Sequence, residues 1–231
     1  MRYTPTAQAV NSRYAERVWS GLVRVARVVE LGEGEAAPFR AALEPFPEET
    51  KGFASARLES FVLGRAAALS ALRALGMETT RALAIEARGA PAWPRGIVGS
   101  ITHDLGRAAC AVARDRELRG VGIDLQRATL EDAATVALVA TSAELDVLAG
   151  RHDDSRFSVI FSAKETLYKC LAKTVGAFFG FEDARAIAAG DESVRLRLQR
   201  TLAPSLPEGT TFDVRYGVRD GVVRTALEWP A

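Results

Sequence analysis

Apolar residues recur at helical spacing from Arg57 to Leu75, RLESFVLGRAAALSALRAL, and Gly76 stands where a left-handed residue can end the run. This is the strongest helix signal in the chain. A Gly/Pro segment, RGAPAWPRG, separates it from a short strand pattern, IVGSIT (97–102), which ends at His103. Residues 108–113 (AACAVA) and 120–125 (GVGIDL) are apolar and strand-like, and the charged RDRELR between them suits an exposed hairpin connection. Further on, Glu131 to Ala149 reads as mostly helical, and Arg156 to Ala172 combines helix formers with an apolar stripe, placing FSAKETLYKCLA on a helix. The pattern then changes period. Val194, Leu196 and Leu198 alternate with polar residues, as do Phe212, Val214, Tyr216 and Val218, and the turn Arg219-Asp220-Gly221 leads into VVRTALEW. LGEGEAAPF (31–39) reads as a surface loop. Helices mixed with antiparallel hairpins in each half predict an α+β fold rather than an alternating parallel sheet, with a midpoint near Glu117 dividing residues 1–117 from 118–231.

With 48% of its 231 residues apolar, the chain can bury a full core. Thirty basic against twenty-nine acidic residues give a formal charge of +1, no global field for gathering nucleic acid or anionic membrane, so anion binding must be local. Charges interrupt every apolar stretch before the roughly 20 residues of a bilayer helix, and MRYTPTAQAV lacks the apolar core of a secretory signal. The expectation is a cytoplasmic protein without a membrane partner. Cys110 and Cys170 each sit in an apolar run, AACAVA and LYKCLA, which favours buried packing thiols over a disulfide.

Candidate chemistry is thin when residues are taken singly. Asp124 and Gln126, two apart on a strand, point to one face, where a carboxylate and an amide oxygen can ligate a hard cation. An acidic residue ending an apolar strand is more commonly a solvated turn residue or a cap. Glu165 and Lys169, four apart on a helix, can form an ordinary surface ion pair, or present a metal-binding or proton-accepting carboxylate together with a cation. Lys164, on another face, is expected in solvent. His103 can bind phosphate or complete a polar network; His152, among charged loop residues, is expected to be exposed. Arg57 and Arg65 diverge by only about 80° around their helix, so both can reach one ligand, and Arg88 in the following loop can join them. Guanidinium groups suit phosphate, although a helix arginine is usually solvated surface.

The order of these residues is more specific than any one of them. RxxxFxxGR, RGxPxWPxGxxGSITH, GVGID and FSAKETLYK occur in sequence between Pro47 and Lys169, with a weaker echo at Phe181-Glu182-Asp183-Ala184. Together they resemble the surfactin-type phosphopantetheinyl transferases, especially the subgroup that activates siderophore and polyketide synthases. The first and last forty-five residues add almost nothing to this resemblance.

The resemblance implies two similar α+β halves related by a pseudo-twofold axis, with coenzyme A in the cleft between them. Arg57, Arg65, Arg88 and His103 would hold its phosphates, the arginines chiefly the 3′-phosphate, and Thr102 would help position the nucleotide. Asp124 would be the principal Mg²⁺ ligand, Gln126 a neutral one, and Glu165 a further ligand that can also take the serine proton. Lys169 would face the diphosphate. The implied reaction moves phosphopantetheine from coenzyme A to a serine of a small acidic apo carrier protein, releasing 3′,5′-ADP. The carrier would dock near residues 130–165 of a monomeric enzyme.

Gln126 departs from the family's usual second acid, so the metal would rest on two charged ligands and lean on the diphosphate. Two other readings remain open at this point: a coenzyme A-binding module without catalysis, and a Mg²⁺-dependent phosphohydrolase, for which no further acidic cluster stands out.

Overall fold

The computed structural model describes residues 18–39, 44, 48–78, 83–86, 89–104, 106–129, 131–151 and 153–231. Arg88 and His152 lie outside the described residues. The chain divides into two units, Met1–Arg119 with Pro230–Ala231, and Gly120–Trp229. Each is α+β.

In the first unit, strands β1 (Arg27–Gly32), β2 (Ile97–Asp104) and β3 (Arg107–Arg114) form an antiparallel sheet in the order β1-β3-β2. Helix α1 (Ser55–Ala74) packs its buried face, with Val62, Leu69 and Leu72, against Leu31, Ile97, Cys110 and Val112 of that sheet. Gly64 permits a close approach, since a Cβ there would stand 3.0 Å from Ile101 Cγ2. The helix ends as its sequence predicts: Gly76 has φ +78°, its N–H donates to the Arg73 carbonyl, and the Met77 N–H reaches back to Leu72. The ring of Trp93 covers Gly99, where any Cβ would overlap it, so the Trp-to-Gly spacing reflects a stacking requirement.

Two expectations are corrected here. Residues 108–113 and 120–125 do not form a hairpin with each other. Both edges of β3 are already paired, with β1 and β2, so its hairpin partner is β2, and β4 (Leu118–Arg127) enters a different sheet. Nor is 31–39 wholly a surface loop: Leu31 closes β1 and Phe39 ends a short 3₁₀ turn, both buried in the first unit's core.

The second sheet has five strands in the order β4-β8-β7-β6-β5, with β5 spanning Ala184–Ala189, β6 Ser193–Leu198, β7 Thr211–Arg219 and β8 Val222–Pro230. The alternation seen in the sequence is one of burial: Val194, Leu196 and Leu198 of β6, and Phe212, Val214 and Tyr216 of β7, point inward. Asp220 and Gly221 both take positive φ, as a two-residue hairpin between β7 and β8 requires.

Helices α2 (Ala133–Val139), α3 (Ser142–Asp146) and α4 (Arg156–Val175) complete this unit. The stretch 131–149 is mostly helical, as its sequence predicts, and divides into two short helices. Ala140 is extended, and Thr141 starts α3 with a reciprocal capping box to Glu144. Cys110 and Cys170 are free, buried thiols whose pKa values burial pushes up. No helix among the described residues is long and apolar enough to cross a membrane.

Candidate active site

GVGID owes its glycines to the helix above it. A Cβ at Gly122 would overlap the carbonyl oxygen of Thr166, and one at Gly120 the carbonyl of Cys170, so only hydrogen at both positions lets α4 lie directly on β4. Neither glycine has a positive φ; space rather than backbone freedom selects them. The alternation of β4 then brings Asp124 and Gln126 up on the same face, against α4.

Asp124 is buried and held by two side chains of α4. Ser162 Oγ donates to its Oδ2 at 2.8 Å, and Lys169 Nζ forms an ion pair with its Oδ1 at 2.7 Å. Glu165 stands on the same stretch of helix, half-buried. Burial raises its pKa, the Lys169 charge works against that rise, and the Asp124 carboxylate adds to it. Among the described residues, the ion pair of Lys169 is thus with Asp124 rather than with Glu165 four residues before it. Gln126 turns its amide nitrogen to the Ser158 carbonyl at 2.8 Å, tying β4 to the first turn of α4.

This donor set fits a hard divalent cation. Two carboxylates, one on β4 and one on α4, lie close enough for one to shift the other, with a neutral amide beside them. No group of three or more acids, histidines or cysteines suited to a metal gathers among the described residues, so two carboxylates are the charged donors present here.

Lys164 corrects the sequence reading outright. It is not solvated. Its side chain and that of Glu144 are 3% and 4% exposed and form an ion pair at 2.7 Å. Lys164 Nζ also donates to the carbonyls of Val139 at the end of α2 and Phe181 before β5. Glu144 in turn accepts from the backbone N–H groups of Thr141 and Ala186. Burial would raise the Glu144 pKa, but the Lys164 hydrogen bond and those two N–H groups outweigh it and hold the carboxyl below its ordinary value. The lysine of FSAKE thus ties together three segments around α4.

In the first unit, Phe53 and Phe61 meet edge to face with centroids 6.3 Å apart. The Arg57 guanidinium lies 4.2 Å from the Phe53 centroid, and that of Arg65 lies 4.8 Å from Phe61. One aromatic pair therefore steadies both arginines, but in different surroundings: Arg57 is exposed, whereas Arg65 is 5% exposed. Burial lowers the Arg65 pKa, and its Nε has no hydrogen-bond partner among the described residues. Thr102 and His103 point to opposite faces of β2, Thr102 buried and His103 exposed on the side of Ile101.

Reading motifs alone missed Ser162 and its neighbour Thr166. The available signal was the row Ser158, Ser162, Thr166, small polar residues four apart within an otherwise apolar stripe.

Comparison with known proteins gives the family. Residues 47–113 match the 4′-phosphopantetheinyl transferase N-terminal domain, and residues 120–219 the 4′-phosphopantetheinyl transferase superfamily. The chain is 34% identical over 194 residues to 4′-phosphopantetheinyl transferase Svp of Streptomyces mobaraensis, covering 79% of this chain and 77% of that protein. It is 33% identical over 187 residues to Npt of Nocardia iowensis, covering 75% and 82%. To PptT of Mycobacterium tuberculosis it is 31% identical over 199 residues, covering 80% and 86%. The chain belongs to the 4′-phosphopantetheinyl transferase superfamily and is an enzyme of that class.

Proposed function

We propose that this enzyme transfers the 4′-phosphopantetheine group of coenzyme A to a serine of an apo acyl or peptidyl carrier protein, releasing 3′,5′-ADP. The observation that carries the reading is the convergence of Asp124, Glu165 and Lys169 where α4 lies on β4. Asp124, Glu165 and the amide oxygen of Gln126 would hold Mg²⁺, which when bound supplies positive charge at the coenzyme A diphosphate.

The chain's own groups then divide the remaining work. Glu165, whose raised pKa makes it a stronger base than an exposed glutamate, accepts the proton of the serine hydroxyl. The serine oxygen bonds to the pantetheine-side phosphorus as the P–O bond to 3′,5′-ADP breaks. Lys169 places its ammonium against the leaving oxygen. Arg57, Arg65, Arg88 and His103 bind the nucleotide's phosphates, with Thr102 positioning the nucleotide. The orphaned, buried Nε of Arg65 favours an anionic ligand there, because a buried donor left unpaired is costly. The ordered motifs favour the surfactin-type subgroup, with siderophore, polyketide or nonribosomal peptide carriers as acceptors, and a monomeric enzyme in the cytoplasm.

The test is intact mass of a panel of apo carriers incubated with coenzyme A and Mg²⁺. At least one carrier gains a single phosphopantetheine, 3′,5′-ADP appears in equal amount, a chelator suppresses both, and a carrier lacking the serine stays unmodified. Coenzyme A binding without modification of any carrier would contradict the reading.

A further inference from the structure

Behind Asp124 lies a chain of hydroxyls that the chemistry above does not use. Ser162 Oγ is 2.8 Å from Asp124 Oδ2 and 2.9 Å from Thr225 Oγ1, and Thr225 Oγ1 is 2.6 Å from Thr166 Oγ1. Thr225 also lies 3.0 Å from the Ser162 backbone carbonyl. All three hydroxyl residues are fully buried, on two elements: Ser162 and Thr166 on successive turns of α4, Thr225 on β8.

Proton inventory fixes the direction of this chain. An ionised carboxylate only accepts, so the single Ser162 proton goes to Asp124. Ser162 Oγ must then accept from Thr225, whose one proton lies between that oxygen and the Ser162 carbonyl, a three-centre arrangement within one residue. Thr225 Oγ1 has no proton left for its other neighbour and accepts from Thr166. Every hydroxyl therefore donates toward the carboxylate. Successive donors polarise one another, which strengthens the terminal bond to Oδ2, while Lys169 occupies Oδ1.

We infer that Thr166, Thr225 and Ser162 form a one-way hydroxyl relay that fixes the rotamer of the Asp124 carboxylate, which makes Ser162 and Thr225 positioning residues for phosphopantetheine transfer. β8 thereby takes part in the site without touching substrate. Partners behind a metal-binding carboxylate commonly set affinity and rate by holding the ligand's orientation. The inference rests on the assignment of Asp124 as a metal ligand.

The experiment compares wild type with Ser162→Ala, Thr225→Val, Thr225→Ser and Thr166→Val. Three quantities are read: calorimetric titration with Mg²⁺ in the presence of coenzyme A but no carrier, kcat for carrier modification, and melting temperature. Ser162→Ala should weaken Mg²⁺ binding and lower kcat by about 10- to 100-fold. Thr225→Val should act in the same direction but less, Thr166→Val least, and Thr225→Ser, which keeps the hydroxyl, should restore both quantities.

A relay that only supports the fold would lower the melting temperature while leaving Mg²⁺ binding and kcat within twofold of wild type, and that result overturns the inference. So does Thr225→Ser behaving like Thr225→Val. Failure of the metal assignment looks different: a wild type that modifies carrier with no response to Mg²⁺ or chelator. The relay is then judged on kcat by the same thresholds. Were wild type to modify no carrier, a double-mutant cycle in melting between Ser162→Ala and Asp124→Asn decides, with additivity counting against the relay.

Discussion

Helix α4 carries two lysines five residues apart, each 2.7 Å from a carboxylate, and the two pairs have opposite jobs. Lys164 and Glu144 are almost wholly out of solvent, and apart from the Thr141 hydroxyl, which also donates to Glu144, their other hydrogen bonds are to backbone groups of Val139, Phe181, Thr141 and Ala186. Lys169 is 25% exposed, and its partner Asp124 is bonded otherwise to the hydroxyl of Ser162. The same ion-pair length therefore supports a fold in one place and, in the proposed function, a reactive site in the other. Surroundings decide which: backbone partners immobilise a charge, whereas an accessible ammonium remains able to meet a second anion.

The largest expected effect comes from breaking the buried pair. Lys164→Met leaves Glu144 charged and uncompensated and two carbonyls without their donor, which should cost about 3–5 kcal/mol of stability, read as a fall in melting temperature. Replacing both partners by apolar residues should recover only part of this, because the Thr141 and Ala186 N–H groups lose their acceptor as well. Lys169→Met should do the reverse, holding the melting temperature within a few degrees while carrier modification slows by at least about tenfold. A Lys169→Met protein as unstable as Lys164→Met would erase the distinction.

The smallest effect is in pH and has opposite signs at the two places. Glu144 has its pKa lowered on folding, so its stabilisation is complete above the unfolded glutamate value of about 4.3 and is lost as pH falls through the lower folded value. Glu165 has its pKa raised, so falling pH adds stability as it passes from the raised folded value of Glu165 down to the unfolded value. Melting curves across acid pH should show Glu144→Gln with a shallower acid decline than wild type. Glu165→Gln should be slightly more stable than wild type near neutral pH.

Much of this was legible in the sequence, for identifiable reasons. The long helix ended by Gly76, the period-two tail and the Asp220-Gly221 turn are local patterns, and local geometry delivers them. Asp124 and Gln126 share a face because strand alternation is local too. Lys164 was misread because its burial depends on Glu144, twenty residues earlier, and on carbonyls from two other segments. A clue existed nonetheless: Thr141-Ser-Ala-Glu144 is a capping-box pattern that marks a helix start inside a stretch that reads as mostly helical. Thr225 offered none, being one threonine in a strand far from every motif, brought to the site by the pairing of β4 with β8 and bonded there to Ser162 and Thr166. The hairpin error had a similar origin, since periodicity gives no account of which edges of β3 are already occupied.

The central claim is that the α4 and β4 junction performs the transfer, and Glu165→Ala tests it most directly. Single-turnover modification of an apo carrier is followed by intact mass at saturating coenzyme A and Mg²⁺, alongside melting temperature. Loss of the proton acceptor should slow transfer by about 10²- to 10⁴-fold with melting unchanged or slightly raised. Transfer at the wild-type rate by a folded Glu165→Ala protein would contradict it.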